Sequence, residues 1–144
     1  MSRAFVKEDS DRPEPPIVRT PGDNPNYVTA EGLQKLHDAL AASQAANDTR
    51  NVTYYEQRIE SAIVDDPATH KRNVVAFGST VTTLDQSGKR TRVKIVGEDE
   101  ADPTAGLISW TSPYAQALLD HRAGKKVTVH RPAGPVILTI ESIE

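Results

Sequence analysis

The chain has 144 residues, of which 26% are charged and 37% hydrophobic, and it carries a formal net charge of −3 and no cysteine. Its length suits one ordinary domain or two small ones, and the lack of cysteine excludes both a disulfide framework and a thiolate metal site. No apolar run reaches the length of about 18 residues that a membrane span needs, and the polar start lacks the apolar stretch of a secretion signal. We therefore expect a cytoplasmic protein with no membrane partner.

The composition of residues 1–26 is typical of a disordered tail, or of an extended arm that lies on a partner. Prolines remove backbone donors and interrupt helices, and the charges between them discourage burial. The prolines of this segment are Pro13, Pro15, Pro16, Pro21 and Pro25.

Two stripes of apolar residues predict a pair of helices in residues 27–68. Thr29 is a good N-cap, and apolar side chains recur after it at the three- and four-residue spacing of one helix face. Asn47 and Asp48 interrupt the pattern, and a second stripe follows until residues 65–67, two acids and a proline, end it. This order predicts an antiparallel helical hairpin, that is, a short coiled coil. The stripes are Leu33, Leu36 and Leu40, and then Val52, Tyr55, Ile59 and Ala62.

The pattern changes to that of strands in residues 74–144. Thr91, Val93 and Ile95 alternate with basic residues, as in a half-buried strand. Ser112 followed by Pro113 predicts a short helix that runs to about residue 120. The simplest arrangement is a small antiparallel sheet packed on one helix, so the chain is predicted to be α+β. The remaining strands are predicted within residues 74–83, 107–110, 126–131 and 136–143.

The basic and histidine side chains of the chain indicate no chemical site. Neither half of the chain is basic enough to favour a nucleic-acid backbone, so no direct sequence-specific nucleic-acid binding is expected. A basic run in the second half has no aromatic platform nearby, and its alternation favours the exposed face of an edge hairpin over a nucleic-acid contact. The histidines lack metal spacing, so we predict no metal, cofactor or catalytic residue. The basic run is Lys89, Arg90, Arg92 and Lys94.

Several ordered motifs in residues 27–144 resemble the GreA/GreB family of transcription elongation factors. Residues 27–33 (YVTAEGL) resemble the entry to the family's N-terminal coiled coil. The motifs of its C-terminal domain are residues 77–81 (FGSTV), residues 95–102 (IVGEDEAD), Ile108-Ser109, Ser112-Pro113 and residues 132–134 (PAG). The resemblance implies a C-terminal domain of FKBP-like fold preceded by a helical hairpin.

The resemblance also implies a partner, because the family binds at the secondary channel of bacterial RNA polymerase. Its C-terminal domain docks at the channel rim, and its coiled coil reaches toward the active centre. Acids at the coiled-coil tip help hold magnesium and water, so that the polymerase cleaves its own backtracked RNA. Taken without the resemblance, the acidic run is a solvated loop and Ser112-Pro113 is a helix cap. The docking candidates are Glu98, Asp99, Glu100, Asp102, Ser112 and Pro113.

The predicted hairpin tip departs from the family pattern. Residues 46–51 (ANDTRN) hold a single carboxylate, Asp48, two residues from Arg50, and one acid beside a cation is a poor magnesium site. Asp48 is either a residual tip acid or the N-cap of the second helix. Residues 29–46 as a helix would span roughly 27 Å, which is less than the family's longer arms. We therefore expect polymerase binding without stimulation of transcript cleavage.

Two further functions follow from the same features. The short arm also resembles the Rnk proteins, a Gre-like branch described as regulators of nucleoside diphosphate kinase, which would make the chain an interaction module for another partner. An FKBP-like domain suggests a peptidyl-prolyl isomerase, whose site needs an apolar, aromatic-lined pocket. The second half of the chain offers only Phe77, Trp110 and Tyr114 for such a pocket. We predict that the chain is not itself an enzyme.

Overall fold

The computed structural model describes residues 24–144, and in that range the chain is α+β, as predicted. The predicted tail lies outside the described residues except for residues 24–26. Asn26 does not fit a tail, because it is 5% exposed and its side-chain amide donates to the Arg58 carbonyl at 2.7 Å. The helices are α1 (Ala30–Ala45), α2 (Thr49–Ser61) and α3 (Pro113–Leu118); the strands are β1 (Tyr27–Val28), β2 (Ile63–Val64), β3 (Thr80–Asp85), β4 (Arg90–Val96), β5 (Leu107–Ser109), β6 (Lys126–Val129) and β7 (Val136–Ile143).

The main sheet has five strands in the order β5-β4-β3-β7-β6. The prediction of an all-antiparallel sheet is wrong, because β4 and β5 run parallel, with Lys94 opposite Leu107 and Val96 opposite Ser109. Residues 97–106, which include a 3-10 turn at Pro103–Ala105, carry the chain back to the start of β4. Two parallel neighbours require such a return. As a consequence, the segments that follow β4 and β5 leave the sheet at the same end.

The first strand of the sheet starts later than the β-branched run predicts. The Val75 N–H donates to the His121 carbonyl, and the Asp120 N–H donates to the Val75 carbonyl, each at 2.9 Å. Gly78 then has a φ of 86°, in a turn where the Ser79 N–H donates to the Ala76 carbonyl at 3.0 Å. Residues 74–79 are therefore a connecting segment, and β3 begins at Thr80.

The core lies between the sheet and the short helix α3. Ala115 and Leu118 are fully buried, as are Ile95 and Ile140 of the sheet. Helix α3 ends at Leu118 and not near residue 120. Asp120 takes a left-handed φ of 69°, and its N–H donates to the Val75 carbonyl and not to a carbonyl of the helix. Helix length is thus set by a tertiary hydrogen bond.

Helices α1 and α2 are joined by residues 46–48, and α2 folds back along α1; we call residues 30–61 the hairpin. Helix α2 ends at Ser61, although the apolar stripe predicts helix to Ala62. The reason is that Ile63 and Val64 pair in parallel with Tyr27 and Val28, which turns the chain to an extended conformation. Within residues 24–144, no helix is long and apolar enough to span a bilayer.

Candidate functional site

The acidic loop of residues 97–102 contacts the base of the hairpin, and we call the contact region of residues 97–100 the seat. Asp99 Oδ2 accepts a hydrogen bond from Arg58 Nε at 2.6 Å, and Asp99 Oδ1 accepts one from the Tyr54 hydroxyl. The Arg58 and Asp99 side chains are each 13% exposed. Arg58 Nη2 also donates to Asn26 Oδ1 at 2.7 Å. A largely buried ion pair therefore connects the last turns of α2 to the sheet domain.

The start of the hairpin is bonded to the same loop. The Thr29 hydroxyl donates to Glu100 Oε2 at 2.7 Å, and its oxygen caps α1 by accepting from the Gly32 N–H at 2.9 Å. The pKa of Glu31, in the first turn of α1, lies below its ordinary value, first because of a hydrogen bond from its own backbone N–H and then because of the charge of Lys94 in β4. The Thr29 hydroxyl group therefore both caps α1 and contacts the acidic loop.

Two glycines allow the hairpin and the loop to approach closely. A Cβ on Gly97 would lie 2.3 Å from the Tyr27 carbonyl oxygen, and a Cβ on Gly32 would lie 2.8 Å from Glu100 Oε2. Real Cβ atoms do not approach other atoms that closely, so a side chain at Gly97 would push β1 away from the domain. Glycine at a close backbone approach has a direct steric reason.

Of the six predicted docking residues, the four acids divide into two groups. Asp99 and Glu100 bond to the hairpin, as described above, while Glu98 is half-buried and Asp102 is exposed. Asp102 also caps the 3-10 turn, since its Oδ1 accepts from the Thr104 N–H at 3.2 Å. The alternative of a wholly solvated loop is wrong for Asp99, because its side chain is only 13% exposed and its carboxylate forms an ion pair with Arg58.

Ser112 and Pro113 occupy the helix start that the sequence predicts. Ser112 Oγ accepts from the Ala115 N–H at 3.2 Å, and Pro113 is the exposed first residue of α3. Since Val96 lies opposite Ser109 in the parallel pair, Glu98 and Ser112-Pro113 follow neighbouring strand ends. The structure therefore brings the acidic loop and the helix start to the same end of the sheet.

A cavity of about 430 Å³ opens between the hairpin and the acidic loop. Lys35, Tyr55 and Glu98 contribute to its walls, and the Tyr54 and Tyr55 rings meet edge to face with centroids 5.3 Å apart. The walls combine one lysine with several carboxylates and two tyrosine rings. This mixture does not favour any one class of ligand. Within residues 24–144, no group of three or more histidine, aspartate or glutamate side chains is placed to hold a metal ion.

Sequence reasoning missed three residues on the hairpin side of this contact: Tyr54 and Arg58, which bond to Asp99, and Asn26, which bonds to Arg58. One signal was present: Tyr54 and Arg58 are four residues apart, and that spacing puts two side chains on the same helix face. The apolar stripe of α2 uses another face, so a second, polar face with a cation indicated a contact of its own. Its partner lies 41 residues away in sequence, and no local pattern identifies it.

The basic run of residues 89–94 is partly neutralised within the chain. Arg90 Nε donates to Glu141 Oε1 at 2.8 Å, and Arg92 bonds to Glu144. The prediction of an edge hairpin is wrong, because β4 lies between β5 and β3 and the sheet edges are β5 and β6. Both ion pairs are exposed, so they stabilise the fold little.

The single tip acid, Asp48, is the N-cap of α2. Its Oδ1 accepts from the Asn51 N–H at 3.2 Å, and its Oδ2 accepts from Asn51 Nδ2 at 2.6 Å. Both carboxylate oxygens are thus engaged by one neighbouring residue. Of the two interpretations of Asp48, the geometry favours the helix cap.

Replacing Asp48 with alanine should lower the free energy of unfolding by about 1 kcal/mol, because an N-cap acceptor is lost. Replacing it with asparagine should change this free energy by no more than a few tenths of a kcal/mol, since asparagine caps about as well as aspartate. Urea denaturation of both variants measures the difference. Equal losses in the two variants would contradict the cap and would point to a role for the charge.

Comparison with known proteins identifies the family of the chain. Residues 69–144 match the family described as "Transcription elongation factor, GreA/GreB, C-term". The chain is 36% identical over 104 residues to the transcription elongation factor GreA of Nautilia profundicola, with 72% of this chain and 64% of that protein covered. It is 38% identical over 96 residues to GreB of Neisseria meningitidis serogroup B, with 66% and 59% covered. Against GreA of Listeria monocytogenes serotype 4a, identity is 38% over 108 residues, with 74% and 67% covered.

Solved structures that align with the chain include GreA factor homolog 1 of Thermus thermophilus, at 22% identity and a TM-score of 0.46, with 84% of this chain and 99% of that chain covered. The GreA/GreB factor of Nitrosomonas europaea aligns at 24% identity and a TM-score of 0.46, with 82% and 98% covered. The match spans less than two thirds of the GreA of Nautilia and the GreB of Neisseria. The domain match and the sequence identity place the chain in one group: it belongs to the GreA/GreB family of transcription elongation factors.

Proposed function

We propose that this chain is a regulator of transcription elongation that binds bacterial RNA polymerase at the secondary channel through residues 74–144, without stimulating transcript cleavage. The observation that carries the proposal is the family match over residues 69–144. These residues correspond to the C-terminal domain, through which the family binds the polymerase. The GreA and GreB relatives are named as elongation factors, and the role in elongation follows from them.

The docking surface that we propose lies where β4 and β5 end. Glu98, Asp102 and Pro113 have accessible side chains there, and Ser112 shapes the helix start that presents Pro113. Carboxylates on such a rim steer a partner of opposite charge and set orientation more than affinity. We therefore expect a basic surface on the polymerase opposite Glu98 and Asp102.

The absence of cleavage stimulation is supported by the hairpin tip. Helix α1 has 16 residues, which corresponds to about 24 Å. The carboxylate of Asp48 is bonded to Asn51, and Arg50 follows it closely. A second magnesium ion needs several oxygen ligands of net negative charge, and this tip offers one acid that is already engaged.

The sheet domain consists of five strands packed on one short helix. An FKBP-like fold has this set of elements, and we propose that fold for the domain. Prolyl isomerase activity is not part of the proposal. Phe77, Trp110 and Tyr114 pack against the buried core, and the Tyr114 hydroxyl bonds to Thr83 at 2.7 Å. Aromatic side chains used in this way do not line an open proline pocket.

A Rnk-like role, as a module for a partner other than the polymerase, is the second candidate. The observation that favours it is the short hairpin, because a partner without a pore needs no long arm. Competition with a full-length GreA for core polymerase separates the two candidates. Displacement of GreA supports polymerase docking, and no displacement at saturating concentration supports another partner.

Reconstituted elongation complexes that are stalled and backtracked test the proposal directly. We expect the protein to bind these complexes while the rate of RNA cleavage stays at the level of polymerase alone. Reversing the docking charges, as in Glu98→Lys with Asp102→Lys, should weaken binding at least tenfold. Glu141→Lys with Glu144→Lys is the matched control, since it changes the charge equally on and just after β7, outside the acidic loop. Cleavage that accelerates and is lost in Asp48→Ala would overturn the proposal.

A further inference from the structure

We propose that Arg58, Asp99 and Asn26 are positioning residues that set the angle of the hairpin relative to the sheet domain. The inference rests on the proposed function for its biological meaning. If the sheet domain binds the polymerase, the orientation of the hairpin relative to that domain decides where the hairpin lies on the partner. Its structural content concerns the free protein alone. Asp99 is then a positioning residue and not a partner contact, and Glu100 is engaged by Thr29 of the hairpin, which leaves Glu98 and Asp102 to the partner.

The seat leaves little rotational freedom because both oxygens of Asp99 are used. One accepts from Arg58 Nε at 2.6 Å and the other from the Tyr54 hydroxyl. The planar guanidinium of Arg58 is held on a second side by Asn26 Oδ1 at 2.7 Å. A planar fork with donors in fixed directions transmits orientation as well as charge.

Asn26 closes the arrangement by bonding the two ends of the hairpin to each other. Its Nδ2 donates to the Arg58 carbonyl at 2.7 Å and to Ser61 Oγ at 3.1 Å, while its Oδ1 accepts from the Arg58 side chain. The segment that enters α1 and the end of α2 are therefore one unit. A change at Asp99 acts on both helices together.

A second group of contacts opposes rotation about the ion pair. The Tyr27 ring lies 5.2 Å from the Trp110 ring, edge to face, and 5.8 Å from the Phe77 ring. Gly97 lets the Tyr27 carbonyl pass at a distance that any side chain would forbid. The hairpin contacts the sheet domain in two regions, a polar one at Asp99 and an aromatic one at Tyr27. Two separate contacts fix the orientation of the hairpin, whereas a single contact would allow it to rotate about that point.

The length of the hairpin amplifies small errors at the seat. Helix α1 projects about 24 Å from its first residue, so a rotation of about 10° at the base would move its far end by about 4 Å. Displacements of about 1 Å already matter where groups must meet in a confined reaction centre. The positioning residues are thus relevant to any partner that receives the hairpin in a narrow passage.

Distance measurements between two spin labels test the inference. The chain has no cysteine, so Ala45→Cys at the end of α1 and Thr128→Cys in β6, both exposed, give one unique label pair. We expect a narrow distance distribution for this parent and at least a twofold broader one when Asp99→Asn is added. The matched control is Glu141→Gln, which breaks an ion pair within the sheet domain and should leave the distribution unchanged.

Circular dichroism distinguishes altered positioning from unfolding. We expect Asp99→Asn to keep the far-ultraviolet spectrum of the parent, since the helices and sheet remain. If Asp99→Asn unfolds, Arg58→Lys is measured in its place, because lysine keeps the charge and loses the planar fork. A folded variant of either kind with the parent's narrow distribution would overturn the inference. Polymerase binding enters none of these measurements, so a failed docking experiment leaves this result interpretable.

Discussion

Replacing Gly97 with alanine should lower the free energy of unfolding by about 3 kcal/mol, at the upper end of the range for overpacked sites. The added Cβ would lie 2.3 Å from the Tyr27 carbonyl oxygen, and the obstacle is backbone that cannot rotate away. Strand β1 would therefore shift, and the Tyr27 ring would lose its contacts with Phe77 and Trp110.

Urea denaturation followed by fluorescence measures this effect, because Trp110 is the single tryptophan of the chain and lies beside Tyr27. The control is Gly88→Asn, at a turn glycine with φ of +88° and nothing within 4 Å of the added Cβ. Asparagine tolerates the left-handed region, so we expect a change of less than about 1 kcal/mol there. A small effect at Gly97 would show that β1 is held loosely.

Replacing Leu118 with alanine should lower the free energy of unfolding by about 2–5 kcal/mol, the range for a large side chain removed from a packed core. Leu118 is fully buried, together with Ile95, Val81 and Ile140 of the sheet. It is also the last residue of a helix of only six residues. So short a helix has little intrinsic stability and depends on this packing.

The matched control is Ile137→Ala in β7, where the side chain is 39% exposed. We expect a loss of less than about 1.5 kcal/mol there, because much of the apolar surface is already in water. Thermal and urea denaturation should rank the two variants in the same order. A Leu118→Ala loss as small as that of Ile137→Ala would mean that α3 contributes little to the core.

Local signals were sufficient for the elements whose stability is local. Thr29 and Ser112 were predicted to cap helices, and a cap was one of the two interpretations of Asp48; each of the three accepts the expected backbone N–H. Period-two alternation located β4, where Val93 and Ile95 are buried and Arg92 between the predicted apolar positions is exposed, although Thr91 is exposed as well. Capping and alternation depend on neighbours within a few residues, so one sequence contains them.

Element ends were predicted less well because they depend on distant partners. Residues 74–79 look like strand by composition, yet Val75 bonds to residues 120 and 121. Helix α2 stops at Ser61 because β1 pairs with the next two residues. Propensity yields to such tertiary hydrogen bonds, since an unpaired backbone group inside a protein is costly.

The candidate site shows the same division. Its residue types were visible in the acidic loop and in Ser112-Pro113, but the parallel pairing of β4 with β5 decides that they share one end of the sheet. The engagement of Asp99 by Arg58 and Tyr54 is likewise a tertiary fact. A run of acidic residues looks the same in sequence whether its carboxylates are solvated by water or paired with an arginine.

By itself, the sequence determined the α+β class, the helix caps, the family motifs and a tip with one carboxylate, because these are properties of residue type and spacing. Only the tertiary structure decided how the hairpin meets the sheet domain and which loop acids remain accessible. The physical reason is that a carboxylate pairs with whatever cation the folded chain brings within hydrogen-bonding distance, and Arg58 is brought to Asp99 across 41 residues of sequence.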